Sequence, residues 1–199
     1  MTTNDNGSRP NEGAIRQILM DEHRVIERVL DAVERMVEER AFDLPFLEQA
    51  LDFFRNFADG CHHAKEENEL FPAMEQAGVP RDGGPIGCML HDHDEGRSHI
   101  RMICAHMTAA AGGDDVARKT VYREIVAYVN MLRQHILKED NVLFMLAENL
   151  LDAKQKESIL HGFEKLDRDP RLAAERKRYV TLADQLLAWN FSATEAGVC

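Results

Sequence analysis

Two histidine-glutamate pairs of equal spacing stand inside segments that otherwise read as core helices: His63-x-x-x-Glu67, within Cys61-His62-His63-Ala64-Lys65-Glu66-Glu67-Asn68-Glu69-Leu70-Phe71-Pro72, and His135-x-x-x-Glu139. Steps of four and three from Phe46 give Ala50, Phe53, Phe57, Gly60, Ala64, Glu67, Phe71 and Met74, an apolar row with one carboxylate inside it. On that register Glu67 and His63 point inward, while His62 and Glu66 point outward. A second apolar row, Leu47, Leu51, Phe54, Ala58 and Cys61, runs through the first half of the same segment. The equivalent walk through Val121, Ile125, Tyr128, Leu132, His135, Glu139, Val142 and Leu146 places the second pair inward as well.

His23 and His93 fall on the inner rows of two further amphipathic segments, so the expected inward set is His23, His63, Glu67, His93, His135 and Glu139. A lone histidine on an apolar stripe is usually a satisfied core residue. Six such groups together are a different problem, because an uncompensated buried carboxylate costs several kcal/mol against a total stability of about 5–15 kcal/mol. Arg97 lies on the same stripe and could answer one carboxylate in a metal-free polar network, yet it cannot also serve four imidazoles. Bound metal is the better solution. Imidazole and carboxylate without thiolate suit iron, manganese or zinc, and one-turn His/Glu pairs in helical bundles commonly hold two ions bridged by carboxylates.

The elements that must position these groups are helices. Leu19, His23, Ile26, Leu30, Val33 and Val37 share one face of a first helix from about Gly13 to Glu39. A second follows Asp43, a capping residue, and Pro45, and runs to about Gln76, where Gly78-Val79-Pro80 ends it. After the Gly/Pro loop to Pro85, Ile86, Leu90, His93, Arg97, Ile100, Cys104, Met107 and Ala111 line a third, with His91, His99 and His106 on its outer positions. Gly112-Gly113-Asp114-Asp115 turns the chain into a fourth, ending near Leu150. The expected fold is all-α: an up-down-up-down four-helix bundle over 12–150, preceded by a disordered tail at 1–11 and followed by a C-terminal helical extension, 151–199. The extension, which includes His161, is expected to pack outside the bundle or to mediate a homo-oligomer contact.

Composition narrows the function classes. The chain has 199 residues, 44% of them apolar and 30% charged, as in an ordinary globular protein. A net charge of −11 without a basic run argues against nucleic-acid binding. No apolar run approaches the ~20 residues that span a bilayer, and no signal-peptide core is present, so no membrane association and a cytoplasmic location are expected. Cys61, Cys88, Cys104 and Cys199 form no C-x-x-C pair and read as free thiols.

His23 in Asp21-Glu22-His23-Arg24, the Cys61–Pro72 segment, His93 in His93-Asp94-Glu95-Gly96-Arg97, and His135-x-x-x-Glu139 before Leu143-Phe144 together resemble the hemerythrin-like (HHE cation-binding) family over about residues 12–150. The resemblance implies a four-helix bundle with a non-heme di-iron centre held by His23, His63, Glu67, His93, His135 and Glu139. It implies oxygen or peroxide as the small ligand, in oxygen or redox sensing or in stress response. A di-iron peroxidase, catalase-like or oxidase enzyme and a metal-stabilised interaction module are the alternatives. Two departures from oxygen-carrying hemerythrins stand out: Arg97 occupies the position of a second histidine on the third helix, and Asp140 competes with Glu139 for the carboxylate place on the fourth.

Overall fold

The computed structural model describes residues 13–168 and 170–191. The tail expected at 1–11, and Cys199, lie outside the described residues. All regular structure among the described residues is helical. Helix α1 is Ala14–Glu38. Helix α2 covers 44–76 as α-helical Leu44–Phe53, π-helical Phe54–His63 and Glu66–Leu70, and α-helical Phe71–Gln76. Helix α3 is Pro85–Ala111; α4 covers 115–150, with π-helical Glu139–Leu143 between α-helical Asp115–Lys138 and Phe144–Leu150. Helices α5, Ala153–Arg168, and α6, Pro170–Leu187, complete the chain.

The ends follow local chemistry. The Asp43 carboxylate accepts from the Phe46 amide at 3.0 Å with Pro45 in the first turn, and Asp114 accepts from the Val116 and Ala117 amides at 2.9 and 3.0 Å. Each cap satisfies amides that have no partner inside the helix. Gly78 (φ 101°) and Gly113 (φ 94°) take the left-handed conformation where α2 and α3 end, at no steric cost.

The core consists of two apolar clusters with a polar layer between them. One contains Ile26, Leu30, Phe46, Phe53, Phe57, Val121, Ile125 and Leu132; the other contains Leu19, Leu70, Phe71, Met74, Ile86, Met89, Leu143 and Phe144. α1 passes from Leu19 through His23 to Ile26, α2 from Phe57 through His62 and His63 to Leu70, α3 from Met89 through His93 to Ile100, and α4 from Leu132 through Glu139 to Leu143. The four helices thus cross the layer in alternating order. The C-terminal helices lie against both clusters: Ile159 and Phe163 of α5 join one, and Tyr179, Leu182, Ala183 and Leu186 of α6 join the other.

The π-helical segments overturn part of the sequence register. Closing hydrogen bonds to the fifth residue turns the chain less per residue than an α-helix does, so a walk of fours and threes runs ahead of the true inner face. Gly60 is exposed and Ala64 and Glu67 are only partly covered, whereas His62, Lys65 and Glu66 are buried. The expectation that His62 and Glu66 face outward is therefore corrected: both face the polar layer. The same slip exposes Val142, at 59%, and buries Leu143.

Leu186, wholly buried in α6, tests how firmly the C-terminal helix belongs to the core. Leu186→Ala is expected to lower unfolding free energy in urea by about 2–5 kcal/mol, the cost of a core leucine cavity. A loss within error of zero would detach α6 from the bundle's stability.

Candidate metal centre

Two groups of donor atoms converge in the polar layer. His63, Glu66, His93 and His135 form one and His23, His62, Glu66 and Glu139 the other, with the donor atoms of each group within 4.8 Å of one another. All these side chains are buried. Helix α1 supplies His23, α2 supplies His62, His63 and Glu66, α3 supplies His93, and α4 supplies His135 and Glu139.

Every one of the five histidines is held the same way round. Its Nδ1 donates to a carboxylate: His23 to Asp140 at 2.7 Å, His62 to Glu22 at 3.1 Å, His63 to Asp59 at 3.3 Å, His93 to Glu67 at 2.7 Å and His135 to Asp92 at 3.2 Å. A carboxylate accepts only, so the Nδ1 proton is fixed and Nε2 of the neutral imidazole presents a lone pair inward. Burial lowers the pKa of His23 and His135, but Asp140 and Glu139 raise the first and Glu139 and Asp92 raise the second to about 9, so without a cation these two Nε2 atoms hold a proton facing Glu139. Those inward atoms have too few partners. Nε2 of His23, His62 and His63, and both oxygens of Glu66 and of Glu139, are buried without a protein hydrogen bond. The Nε2 atoms of His93 and His135 face each other at 3.2 Å.

The two glutamates lie between the groups. One Glu66 oxygen is 3.5 Å from Nε2 of His62 and the other 3.5 Å from Nε2 of His93. A single oxygen of Glu139 is 3.2 Å from Nε2 of both His23 and His135. Orphaned buried acceptors are costly, and a cluster of them around one point matches the needs of cations better than any protein donor could. Donor separations below 4.8 Å fit ions with bonds of about 2.0–2.2 Å. The nitrogen and oxygen set, with a carboxylate behind each imidazole, fits iron, manganese or zinc.

Behind the carboxylates stands a layer of cations. Arg24 bonds Asp140, Lys65 and Arg176 bond Glu22, Arg97 bonds both Asp59 and Glu67, and Lys138 bonds Asp92. Arg97 thus stands outside both groups, and its single guanidinium holds the partners of His63 and His93. Glu67 belongs to this outer layer; the structure places Glu66, not Glu67, among the converging atoms. Asp140 likewise orients His23, while Glu139 lies inside. His23, His63, His93 and His135 are brought together as expected.

His62 and Glu66 were missed, as were the outer carboxylates. One signal was available for the pair. Ala58, His62, Glu66 and Leu70 form a run of pure four-residue steps that extends the second apolar row, and all four are buried.

Charge environment follows this layering. Burial drives His62 down to about 4, with His23 adding repulsion, and drives His63 well below its usual range together with His93. Both imidazoles are neutral near pH 7, the form that ligates. Burial and the facing Glu139 push Glu66 upward; burial acts the same way on Glu139, but His135 and His23 outweigh it and hold it ionised.

A cavity of about 260 Å³ adjoins the three-histidine group, with His63, His93, Asp59, Asp92 and Arg97 in its wall.

Glu22 offers a test of the outer layer. Burial raises its pKa, but His62 and Lys65 outweigh burial and hold it at about 2, against 4.5 for the free side chain. A depressed acid contributes stability that is complete above pH 4.5 and lost as pH falls toward 2. Lys65→Met is expected to cost about 3–5 kcal/mol in urea unfolding at pH 7, because it strips a buried carboxylate of its nearest cation. The deficit should shrink as pH falls toward 2, and Glu22→Gln added to Lys65→Met should restore much of it. A pH-independent deficit would mean that Lys65 acts by packing alone.

Comparison with known proteins agrees with this geometry. The hemerythrin HHE cation binding domain matches residues 14–147, a span that contains all seven converging side chains. Uncharacterized proteins of Mycobacterium tuberculosis and Mycobacterium bovis are 30% identical over 150 residues, 73% of this chain and 58% of theirs. The iron-sulfur cluster repair protein YtfE of Edwardsiella ictaluri is 38% identical over 101 residues, 49% of this chain and 45% of its own length. The chain therefore spans less than two thirds of the length of these curated relatives. No solved structure matches. No described helix is long and apolar enough to cross a membrane. On the match that spans residues 14–147, the chain belongs to the hemerythrin HHE cation-binding domain family.

Proposed function

We propose that the protein is a cytoplasmic non-heme di-iron protein that binds or reacts with oxygen or peroxide in redox sensing or stress response. The observation that carries this reading is the set of buried Nε2 and carboxylate atoms that no protein group satisfies, divided into two groups that share Glu66. The proposed ligands are His63, His93 and His135 for one ion, His23 and His62 for the other, and Glu66 and Glu139 between them. This set replaces Glu67 with Glu66 and adds His62.

Iron bound there would supply electrons and a coordination position for a small oxidant. The protein's own part is orientation and exclusion. The Nδ1–carboxylate bonds present each Nε2 in one tautomer, and the two apolar clusters keep water from the layer except on the side of the cavity. Two inner carboxylates offset part of the charge of two divalent or trivalent ions.

A second reading is that the centre handles iron for cluster repair, favoured by the similarity to YtfE, whose name states that role. Iron leaving the protein for an apo iron-sulfur acceptor would favour it; iron retained through reaction with peroxide would favour the first reading.

Metal analysis on protein from iron-supplemented cells is expected to give about two irons per chain, the stoichiometry of carboxylate-bridged bundle sites. Glu66→Ala with Glu139→Ala should lose them, whereas Glu67→Ala should retain iron with affinity lowered about 10–100-fold, as for a residue acting through His93. Loss of all iron in Glu67→Ala, with retention in Glu66→Ala, would reverse the assignment. Reduced, iron-loaded protein should change its visible absorption on exposure to oxygen or peroxide; an unchanged spectrum would remove the oxidant from the proposal.

A further inference from the structure

The cavity beside the three-histidine group is larger than oxygen or peroxide requires. It measures about 260 Å³, whereas a cavity of roughly 150 Å³ already accommodates benzene. Its body is apolar, walled by Phe54, Ile100, Tyr128, Met131 and Leu132. Its depth is set by Gly96, where a Cβ would come within 3.0 Å of Met131 and 3.4 Å of Tyr128.

The charges around this space are unequal in kind. Asp59, Asp92 and Arg97 are already engaged with one another or with His63, His135 and Lys138. Arg55 and Arg101 also line the cavity and both are exposed. Among the described residues neither makes an ion pair; Arg55 donates to the Cys104 thiol, and Arg101 makes no hydrogen bond to any of them. In a chain of net charge −11, two guanidinium groups without carboxylate partners at the edge of an apolar cavity are a specific local excess. Guanidinium presents paired donors that match a carboxylate.

We propose that this cavity binds a small amphiphilic carboxylate, with an apolar body of about single-ring size among Phe54, Ile100 and Met131 and its carboxylate at Arg55 and Arg101. The site stands on its own lining and does not depend on the iron reading. It places the bound molecule's apolar end beside His63 and His93, so that occupancy narrows the path from solvent to the centre.

Benzoate titrated into the full-length protein by calorimetry tests this, with benzyl alcohol as the neutral analogue. One benzoate per chain is expected in both metal-free and iron-loaded protein, with benzyl alcohol weaker about tenfold or more, the loss of at least one charge-assisted hydrogen bond. R55Q/R101Q should bring benzoate down to the level of benzyl alcohol while leaving benzyl alcohol unchanged. I100F, checked for intact helix content, should block both. The surface double variant carries the test if I100F does not fold. Absence of benzoate binding at millimolar concentration, or equal benzoate affinity in wild type and R55Q/R101Q, overturns the proposal. So does binding that appears only in the iron-loaded protein, which would place the carboxylate on the metal instead.

Discussion

Seven donor-bearing side chains occupy a buried layer where protein partners are too few for their inward-facing atoms. The structure's answer is to satisfy one end of each histidine and leave the other bare. Each Nδ1 is bonded to a carboxylate, and each Nε2 faces inward. Hydrogen bonding at the outer nitrogen fixes the tautomer, resists ring rotation and makes the inner nitrogen a stronger base. The arrangement makes sense as a receptacle for cations, because the close approaches that Glu139 makes to His23 and His135 still leave Nε2 of His62 and His63 and both oxygens of Glu66 without a protein partner.

The outer layer extends that logic to charge. Glu22, Asp59, Glu67, Asp92 and Asp140 could not sit behind imidazoles at low dielectric unless something balanced them, and Lys65, Arg97, Lys138, Arg24 and Arg176 do so. Outer charges therefore nearly cancel, leaving Glu66 and Glu139 as the two carboxylates at the centre. Arg176 belongs to α6, so the C-terminal segment reaches the support of His62 through Glu22 as well as burying Tyr179 and Leu186. The last helix thus contributes to the site as well as to the core.

Helix limits, caps and the all-helical class were legible because they depend on local chemistry: Asp43 and Asp114 at helix starts, Gly78 and Gly113 at helix ends, and rows of Leu, Ile and Phe at α-helical period. His23, His93 and His135 lie on α-helical stretches and fell on the right faces. Glu66 and His62 did not, because the register was carried across π-helical turns as though they were α-helical. Only tertiary context specifies such turns, and here they coincide with the polar layer at both α2 and α4. The outer carboxylates were illegible for a different reason. Asp59, Glu67 and Asp92 look like the solvated residues of an amphipathic helix, and their role appears only when another helix brings a histidine or an arginine to them.

The two halves of the layer differ in what surrounds them. The half built on His23 and His62 is closed: His23 stacks on Phe144 with ring centroids 5.5 Å apart, and Glu22 and Lys65, wholly buried, stand behind His62. The half built on His63, His93 and His135 borders the cavity, whose wall includes His63 and His93 themselves. A molecule entering the cavity therefore meets the three-histidine half first. Access and ligand number are coupled in this way by α3, which contributes His93 to the centre and Gly96, Arg97 and Ile100 to the wall of its approach. Three imidazoles converge in the half nearest the cavity and two in the enclosed half.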